Sequence, residues 1–250
     1  MKLALLSDIH ANLQALEACL DHARKQGAQQ FALLGDFVGY GGDPAAVMER
    51  IMGLAEQGAW LVKGNHDEMA VHPSTTIKNM GESSAPWTHG QLSSAQLAFL
   101  DSLPFTQHRD AIFLVHASAH EPEKWRYVYE KQAAAASLNA ALIHPGVHYV
   151  FGGHVHRQTL YYRAINGKLM AFEPHAGVAM PVPGHRSWLA TIGSVGQPRD
   201  ANSKAMYALF DTQRALLTFH RIPYDFQAAA AAIRRAGLPD FFAARLELGV

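Results

Sequence analysis

The order of apolar and polar residues along the chain predicts an α/β protein with two β-sheets. In the first part of the chain, short apolar runs alternate with stretches of helical periodicity, which is typical of a parallel sheet covered by helices. From Gln158 onward, strand-like runs follow one another with only turns between them, such as Asn166-Gly167, which predicts a second, mixed or antiparallel sheet. With 250 residues, 49% of them apolar, the chain is expected to form a single domain over residues 1–250.

The first hundred residues are predicted to form strands and helices in alternation. Asn12 is expected to cap the first helix and Gly27 to end it, while Asp43 and Pro44 begin the second helix. An insertion from about 77 to 102 is predicted to be helical, with a break near Gly90, and to lie like a cap over the strand ends. The predicted strands are 2–6, 31–34 and 60–62, and the predicted helices are 13–26, 43–57 and, with Ser93 as its cap, 95–100.

The rest of the chain is predicted to be richer in strands. Two further buried strands flank an alanine-rich helix, and two helices end the chain. The predicted strands are 112–115, 149–151, 158–163, 169–173, 188–192, 205–211 and 216–222, and the predicted helices are 132–142, 226–236 and 239–246.

The composition argues against several classes of partner. The chain has 21 basic and 21 acidic residues, so it has no long-range field of one sign that would hold nucleic acid or an anionic membrane.

The single Cys19 has helical spacing with neighbouring leucines, so it is predicted to be a small core residue, and a disulfide within the chain is excluded. Residues 1–7 form a strand rather than a cleavable leader, and no apolar run approaches the ~18 residues of a membrane-spanning helix. A cytoplasmic location is therefore expected.

Five short segments at the ends of apolar runs carry side chains that bind metals. In an extended backbone, residues i and i+2 point the same way, so Asp8 and His10 can act together, as can His154 and His156. Carboxylate and amide oxygens mixed with imidazole nitrogens suit a pair of adjacent divalent cations. The segments are Ser7-Asp8-Ile9-His10, Gly35-Asp36, Gly64-Asn65-His66-Asp67, Val115-His116 and Gly152-Gly153-His154-Val155-His156.

These segments resemble, in order and spacing, the signature of the calcineurin-like metallophosphoesterases. The resemblance covers about residues 3–211, and the segment from Gly193 to Asp200 is similar to one found in a bacterial and archaeal subgroup. The resemblance implies a four-layer α/β/β/α sandwich with two mixed β-sheets and a dinuclear metal site at the strand ends. It implies that one metal is held by Asp8, His10 and His156, the other by Asn65, His116 and His154, with Asp36 as the bridge. His66 is then the catalytic histidine that binds no metal, and Asp67 is expected to fix its orientation and favour its protonated form.

The residue types favour hydrolysis with two divalent or trivalent transition-metal ions. Imidazole-rich ligands suit Mn, Fe, Co, Ni or Zn better than Mg or Ca. Two such ions about 3.5 to 4 Å apart lower the pKa of a shared water, so that hydroxide can attack at neutral pH. The chain has no G-x-S-x-G elbow, Walker loop or G-x-G-x-x-G motif, so competing hydrolase and nucleotide-fold mechanisms are not predicted.

The expected substrate is a small phosphodiester or a nucleotide polyphosphate such as a dinucleoside tetraphosphate. The subgroup that the chain resembles includes phosphodiesterases and a hydrolase of diadenosine tetraphosphate. Relatives that act on phosphoproteins carry Asp-Arg-Gly where this chain has Gly39-Tyr40-Gly41, so a protein phosphatase is not favoured. Two rival functions stay open: a phosphomonoesterase, and a noncatalytic metal-binding scaffold. The oligomeric state stays open as well.

Three residues are candidates for substrate contacts, each with a structural alternative. Tyr40 can stack on a base or pack within its loop. Arg126, between Trp125 and Tyr127, would add a cation to an aromatic surface that suits a nucleotide, although core packing of Trp125 is an equal alternative. Arg199 can bind phosphate or form a structural ion pair. In addition, His89 and His120 are assigned at most a supporting role in the cleft.

Overall fold

The structure is a computed structural model, and it describes residues 1–164 and 166–250. The described residues form twelve strands, which are β1 Lys2–Leu6, β2 Gln30–Leu33, β3 Trp60–Leu61, β4 Thr106–Arg109, β5 Ile112–Val115, β6 Tyr149–Gly152, β7 Gln158–Arg163, β8 Leu169–Phe172, β9 Ala179–Pro181, β10 Trp188–Ile192, β11 Ala205–Asp211 and β12 Leu216–Ile222. They also form eight α-helices, which are α1 Leu13–Lys25, α2 Pro44–Glu56, α3 Asn65–Val71, α4 Ala85–Gln91, α5 Ser94–Ser102, α6 Lys131–Ala141, α7 Phe226–Arg235 and α8 Asp240–Leu248. Short 3₁₀ turns lie at Glu82–Ser84 and Pro122–Lys124.

The strands form two mixed sheets of six strands each. The first sheet has the order β3-β2-β1-β11-β12-β9, and the second has the order β4-β5-β6-β10-β7-β8. Strand β1 runs parallel to β2 and antiparallel to β11, while β6 runs parallel to both β5 and β10. The prediction of two mixed sheets is therefore confirmed.

The predicted division of the strands between the sheets is wrong. The sequence analysis places the strands from Gln158 onward in the second sheet, but β11 and β12 belong to the first sheet, and β5 and β6 belong to the second. A buried strand is apolar whichever sheet contains it, so its composition does not reveal its neighbours. Pairing of β1 with β11 joins the start of the chain to a strand far along the sequence, as in the register of Lys2 with Asp211.

Three apolar clusters separate four layers. Leu5, Phe151 and Phe210 belong to the cluster between the two sheets. Helices α1 and α2 cover the outer face of the first sheet with a second cluster, and α6 covers the outer face of the second sheet with a third, in which Leu138 packs with Val150. The α/β/β/α sandwich is thus confirmed, and it places the ends of several strands from both sheets at a common edge.

Helix α1 begins where it is predicted to begin, and its cap has a second use. The side chain of Asn12 accepts a hydrogen bond from the backbone N–H of Ala15 at 3.0 Å. Its amide nitrogen also donates to the Gly196 carbonyl oxygen at 2.9 Å and to the Tyr224 hydroxyl at 3.2 Å. One side chain therefore caps the helix and connects it to the segments that follow β10 and β12.

The helical insertion is divided between the site and the outer layer. Its helix break lies at Leu92, just after Gly90, and Ser93 caps α5 by accepting a hydrogen bond from Gln96 N at 3.2 Å. Leu100 of α5 is buried in the same cluster as α1 and α2, so this half of the insertion is part of the outer helical layer. Only its beginning, from Asn79 to Glu82, lines the cleft at the strand ends.

Two expectations from composition concern single residues and membrane spans. Cys19 is buried in the cluster beneath α1, and burial raises the pKa of its thiol above the usual range. The prediction of a core cysteine is confirmed. Among the described residues, no helix combines the length and the apolar character that crossing a membrane requires.

Replacement of Asn12 by alanine is expected to destabilise the protein more than loss of an ordinary helix cap. The Ser93→Ala variant loses a cap on an exposed helix and should lower the free energy of unfolding by about 1 kcal/mol. The Asn12→Ala variant also loses two tertiary hydrogen bonds and leaves the Gly196 carbonyl oxygen unpaired, so we expect about 2 to 4 kcal/mol. Urea unfolding followed by circular dichroism would compare the two, and equal losses would contradict the additional role of Asn12.

Candidate metal centre

The structure brings together all seven side chains that the sequence analysis assigns as metal ligands. The loops after β1, β2 and β3 of the first sheet reach the same edge as the loops after β5 and β6 of the second sheet. These loops carry Asp8, His10, Asp36, Asn65, His116, His154 and His156, of which all but Asn65 are buried. The potential ligand atoms of the six histidines and aspartates form groups in which every atom lies within 4.8 Å of the others, and Asn65 Oδ1 lies 3.1 Å from His116 Nε2.

The first group consists of Asp8, His10 and His156. His10 Nε2 lies 3.2 Å from His156 Nε2, and His156 Nε2 lies 3.3 Å from Asp8 Oδ1. The His10 and His156 rings are stacked, with their centroids 5.0 Å apart and an interplanar angle of 22°. This group therefore offers two imidazole nitrogens and one carboxylate to a common point.

The second group is built around His116. Its Nε2 atom lies 3.1 Å from Asn65 Oδ1, 3.2 Å from His154 Nδ1 and 3.3 Å from Asp36 Oδ2. His154 thus presents its Nδ1 atom to the group, whereas its Nε2 atom is buried without a hydrogen-bond partner among the residues described. Asn65 is the one amide in the set, and it stands at the first residue of α3.

Asp36 lies between the two groups. Its Oδ2 atom is 3.3 Å from His116 Nε2 and 3.8 Å from His10 Nε2, while Oδ1 accepts a hydrogen bond from His66 N at 2.8 Å. The same distances also group His66 with His10 and Asp36. Geometry therefore supports a bridging position for Asp36, and it does not by itself separate His66 from the ligands.

Backbone carbonyls fix which nitrogen of each imidazole faces the centre. The Nδ1 atoms of His10, His116 and His156 lie 3.3, 2.7 and 2.6 Å from backbone carbonyl oxygens, which can only accept hydrogen bonds. Each of these Nδ1 atoms therefore carries a proton, which leaves Nε2 as the atom that can bind a metal. The carbonyls belong to Val38, Leu34 and Gln197, and sequence motifs gave no signal for them because backbone oxygens are common to all residues.

This arrangement fits bound cations. His10 Nε2 and His156 Nε2 face each other at 3.2 Å as two lone pairs, so they cannot hydrogen-bond to each other. Burial lowers the pKa of His10 well below its usual value and lowers the pKa of His154 to about 3, which keeps both rings neutral. A cation between the facing nitrogens and the nearby carboxylate would satisfy all of them.

His116 behaves differently because of Asp36. Burial favours the neutral ring, but the Asp36 carboxylate outweighs burial and raises the pKa of His116 to about 9. A metal that binds His116 Nε2 must therefore displace a proton, so affinity at the second group should increase with pH.

Five of the seven residues have a left-handed backbone conformation. The φ angles are 53° for Asp8, 50° for His10, 54° for Asp36, 67° for His154 and 54° for His156. Such conformations are uncommon for residues other than glycine and cost of order 1 kcal/mol or more each. Hydrogen bonds from Asp8 N to Gly35 O at 3.1 Å and from His10 N to Asp36 O at 2.9 Å hold two of the loops. The strain coincides with the converging side chains and so supports a functional role for them.

Close approach between loops explains two of the glycines. A Cβ atom on Gly153 would lie 1.9 Å from Ser7 Oγ, and one on Gly64 would lie 2.2 Å from Asp36 N. Any side chain at either position would force the loops apart. Gly153 thereby lets loops of the two sheets meet, and Gly64 lets the loops after β2 and β3 of the first sheet meet.

Asp67 holds these loops together, and the prediction that it orients His66 is wrong. Its carboxylate accepts hydrogen bonds from backbone N–H groups alone, at 2.8 to 3.3 Å, and those groups belong to Asp36, Phe37, Val38 and Gly64. Asp67 is the third residue of α3, from which a carboxylate reaches back to the helix start, whereas consecutive helical residues do not face each other. Asp67 therefore fixes the loop that presents Asp36.

His66 lies in a cleft of about 280 Å³ beside the metal groups. Its ring packs against Tyr40, at a centroid distance of 4.3 Å, and against His10, at 5.0 Å. Burial lowers the pKa of His66 to about 4, so the ring is neutral at pH 7, contrary to the expectation that it is protonated. Trp125 and Tyr127 frame the opposite part of the cleft.

The candidate substrate contacts have different outcomes. Tyr40 lines the cleft, but it is only 8% exposed and its ring packs against His10, His66 and Phe242, so packing within its loop is favoured and stacking on a base stays a prediction. The exposed guanidinium of Arg126 pairs with Glu121 and does not line the cleft, whereas Trp125 and Tyr127 do, so a substrate contact by Arg126 stays a prediction.

Arg199 remains a candidate. Its guanidinium donates two hydrogen bonds to Gln197 Oε1, at 2.7 and 3.2 Å, and lies 5.8 Å from the centre of the Tyr40 ring. Among the described residues, no acidic side chain forms an ion pair with it, so the structural alternative has no support.

The two additional histidines have no position in the cleft lining. His89 Nδ1 contacts the Ala70 carbonyl oxygen at 2.8 Å and so supports the end of α3. His120 is exposed and lies beside Glu121. A supporting role in the cleft is therefore limited to the indirect contact of His89 with α3.

Comparison with known proteins gives consistent matches over most of the chain. The model of the calcineurin-like phosphoesterase superfamily domain matches residues 1–215. An uncharacterized protein of Methanocaldococcus jannaschii is 31% identical over 253 residues, which cover 99% of this chain and 98% of that protein. Among solved structures, a metallophosphoesterase from Sphaerobacter thermophilus has a TM-score of 0.87 and 32% identity, covering 100% of this chain and 99% of that one. A hypothetical protein from Pyrococcus horikoshii shares the fold, with a TM-score of 0.79, 19% identity and coverage of 100% and 98%.

Asp36→Asn is expected to reduce metal content more than a change at any ligand of one group. Among the described residues, Asp36 supplies the carboxylate that lies between both groups, so the variant would remove a charged ligand from both proposed ions. Elemental analysis after reconstitution and dialysis would compare it with Asp8→Asn, which removes the carboxylate of the first group. Retention of nearly two metals by Asp36→Asn would contradict the bridging assignment.

Proposed function

The chain belongs to the calcineurin-like phosphoesterase superfamily, and on this basis we propose that it is a phosphoric ester hydrolase that uses two metal ions and acts on a small phosphodiester or a nucleotide polyphosphate. The observation that carries the proposal is the convergence of two ligand groups on Asp36 beside a cleft that contains His66. Turnover by metal-reconstituted protein of a panel of nucleotides, dinucleoside polyphosphates and simple esters would test it.

The proposed ligand sets follow the two groups. Asp8, His10 and His156 would hold one ion, and Asn65, His116 and His154 would hold the other, with Asp36 shared. The donor set favours Mn, Fe, Co, Ni or Zn over Mg or Ca, because imidazole nitrogens predominate. When bound, such ions polarise a phosphoryl oxygen and lower the pKa of water.

His66 is the proposed proton donor to the departing oxygen. It lies next to Asn65, its backbone N–H is fixed by Asp36 Oδ1, and its ring lines the cleft. The ring is neutral in the free protein because burial disfavours its charged form. Binding of an anionic phosphate ester nearby would raise the pKa of His66, so that the substrate itself promotes the protonation that the leaving group requires.

Arg199 is the proposed contact for a nonbridging phosphate oxygen. Its partner Gln197 is neutral, so the guanidinium charge is not compensated by that hydrogen bond. It lies over Tyr40, whose ring packs on His66, and this places the cation near the proposed proton donor. A guanidinium can bind two oxygens of a phosphate at once, which would orient the ester.

The substrate preference is expected to favour small diesters over phosphoproteins. The stretch Gly39-Tyr40-Gly41 lacks the Asp-Arg-Gly arginine, and Tyr40 is buried. We predict a lower kcat/KM for phosphoserine peptides than for bis-p-nitrophenyl phosphate or a dinucleoside polyphosphate. Equal or higher efficiency on phosphopeptides would contradict the preference. Higher efficiency on p-nitrophenyl phosphate than on the bis ester would favour a monoesterase, and no turnover by the metal-loaded protein would favour a scaffold.

Loss of His66 is expected to affect substrates according to their leaving groups. If His66 protonates the departing oxygen, His66→Ala should lower kcat by about 10²- to 10⁴-fold on an alkyl phosphodiester, whose alkoxide is strongly basic. The loss should be much smaller on a nitrophenyl ester, because nitrophenolate departs without a proton. Steady-state kinetics with both substrates and metal analysis of the variant would measure this.

The exposed His120 provides a matched control, and His120→Ala should match the wild type on both substrates. An equal loss on both esters in His66→Ala, with metals retained, would assign His66 to electrostatic stabilisation instead. Loss of metal would make His66 a ligand, as its distance to His10 and Asp36 allows.

A further inference from the structure

A second cavity lies behind the loop that carries two of the proposed metal ligands. Its volume is about 610 Å³, which is within the range of about 300 to 1,000 Å³ typical of small-molecule sites. Val155, between His154 and His156, lines it, and so does Arg157, which follows His156. One short loop therefore carries proposed ligands of the metal centre and also forms part of the wall of this cavity, which we call the distal cavity.

A stack of aromatic rings connects the metal centre to the distal cavity. Tyr127 lines the catalytic cleft and stacks on His154, with centroids 4.1 Å apart and planes at 20°. Tyr129 stacks on Tyr127 at 5.2 Å and 9°, and Tyr129 lines the distal cavity. Tyr129 is 52% exposed although it is a large aromatic side chain. The stack thus ends in a partly open ring at the cavity.

The distal cavity contains a second exposed ring. Phe172 of β8 also lines it and is 44% exposed. Two exposed aromatic rings in one concave site can hold a planar aromatic group, and base stacking on aromatic side chains is a general means of binding nucleotides.

The charges in the distal cavity are balanced. Arg157 and Lys131 supply cations, and Glu130 and Glu173 supply carboxylates. Among the residues that the structure describes, none of these four side chains forms an ion pair. A cavity for a bare polyphosphate would need an excess of cations, whereas the hydroxyls and amines of a nucleoside can donate to carboxylates. Arg157, next to the metal loop, suits the phosphate end of such a ligand.

We propose that the distal cavity binds the nucleoside part of a nucleotide substrate whose phosphate chain extends to the metal centre. The base packs on Tyr129 and Phe172, the carboxylates of Glu130 and Glu173 accept hydrogen bonds from the nucleoside, and Arg157 binds a phosphate on the way to the metals. This assignment rests on the proposed function, which it narrows to esters that carry a nucleoside.

Binding of adenosine monophosphate and of ribose 5-phosphate to the metal-loaded protein tests the assignment without requiring turnover. Both compounds have the same sugar phosphate, so the ratio of their dissociation constants, measured by calorimetry, reports the contribution of the base. We expect adenosine monophosphate to bind about 5- to 150-fold more tightly. Chromatography after each titration would establish that the nucleotide is intact.

Substitutions in the distal cavity would show which residues provide the contribution of the base to binding. Tyr129→Ala should remove most of this ratio, Phe172→Ala should reduce it, and Tyr129→Phe should retain it because the stacking face is unchanged. Phe241→Ala is the matched control, because Phe241 is a 50% exposed ring on α8 outside the cavity. The ratio of kcat/KM for a dinucleoside polyphosphate to that for bis-p-nitrophenyl phosphate should fall in Tyr129→Ala in parallel.

The outcomes separate this inference from the proposed function. Equal affinity for the two compounds, or a base contribution that persists in both alanine variants, would overturn the distal cavity as the nucleoside site even if esters are hydrolysed. A base contribution that depends on Tyr129, in a protein that hydrolyses no ester, would support the site while the proposed function fails.

Discussion

The candidate metal centre depends on buried nitrogens and carboxylates that face one another and need a proton or a cation between them. His10 Nε2 faces His156 Nε2 at 3.2 Å, and His116 Nε2 faces His154 Nδ1 at the same distance, with carboxylates beside both pairs. Unpaired buried polar groups are costly, and the left-handed backbone of the surrounding loops adds to that cost. Without a bound cation, a proton on His116, which the Asp36 carboxylate favours, can lie between the nitrogens of the second pair. Metal binding and local stability would therefore be linked, since bound ions would replace this proton and satisfy the facing nitrogens.

The two sheets meet through the same groups. The backbone N–H of His154, after β6, donates to the Asp8 carboxylate at 2.9 Å, and Ser194 Oγ donates to the Asp8 carbonyl oxygen at 2.8 Å. Asp67 adds four hydrogen bonds within the first sheet's loops, with the effect that Asp36 has little freedom to move. These polar contacts add to the apolar cluster between the sheets, and they involve the candidate ligands themselves or their immediate partners. Substitutions at this edge are expected to alter stability and metal content together.

Local sequence signals predicted most helices and strands, but they could not predict which distant strands pair in a sheet. Asn12, Ser93 and Gly27 marked helix ends because capping and left-handed backbone depend on neighbouring residues. Strands β4 and β9 were missed, since β4 is a polar edge strand and β9 has only three residues and ends in Pro181. The sheet partners of β11 were assigned wrongly because β11 pairs with the start of the chain. The ligand residues could be predicted from their types and order, but the carbonyl partners of their imidazoles could not, because such contacts carry no residue signature.

The corrected position of Asp67 changes the account of proton transfer. A carboxylate beside an imidazole would hold it protonated before substrate binds, but the Asp67 oxygens are occupied by backbone N–H groups. The residue next to His66 Nδ1 is instead Gly39, where an added Cβ would lie only 2.6 Å from that nitrogen, so no side chain fits there. The Asp36 carboxylate favours a protonated His66, but burial outweighs it, so the charge of a bound anionic ester would have to tip the balance, and metal ions nearby would act against it. In the proposed mechanism, proton donation by His66 would therefore be coupled to phosphate binding, and the active protonation state would form in the complex with substrate.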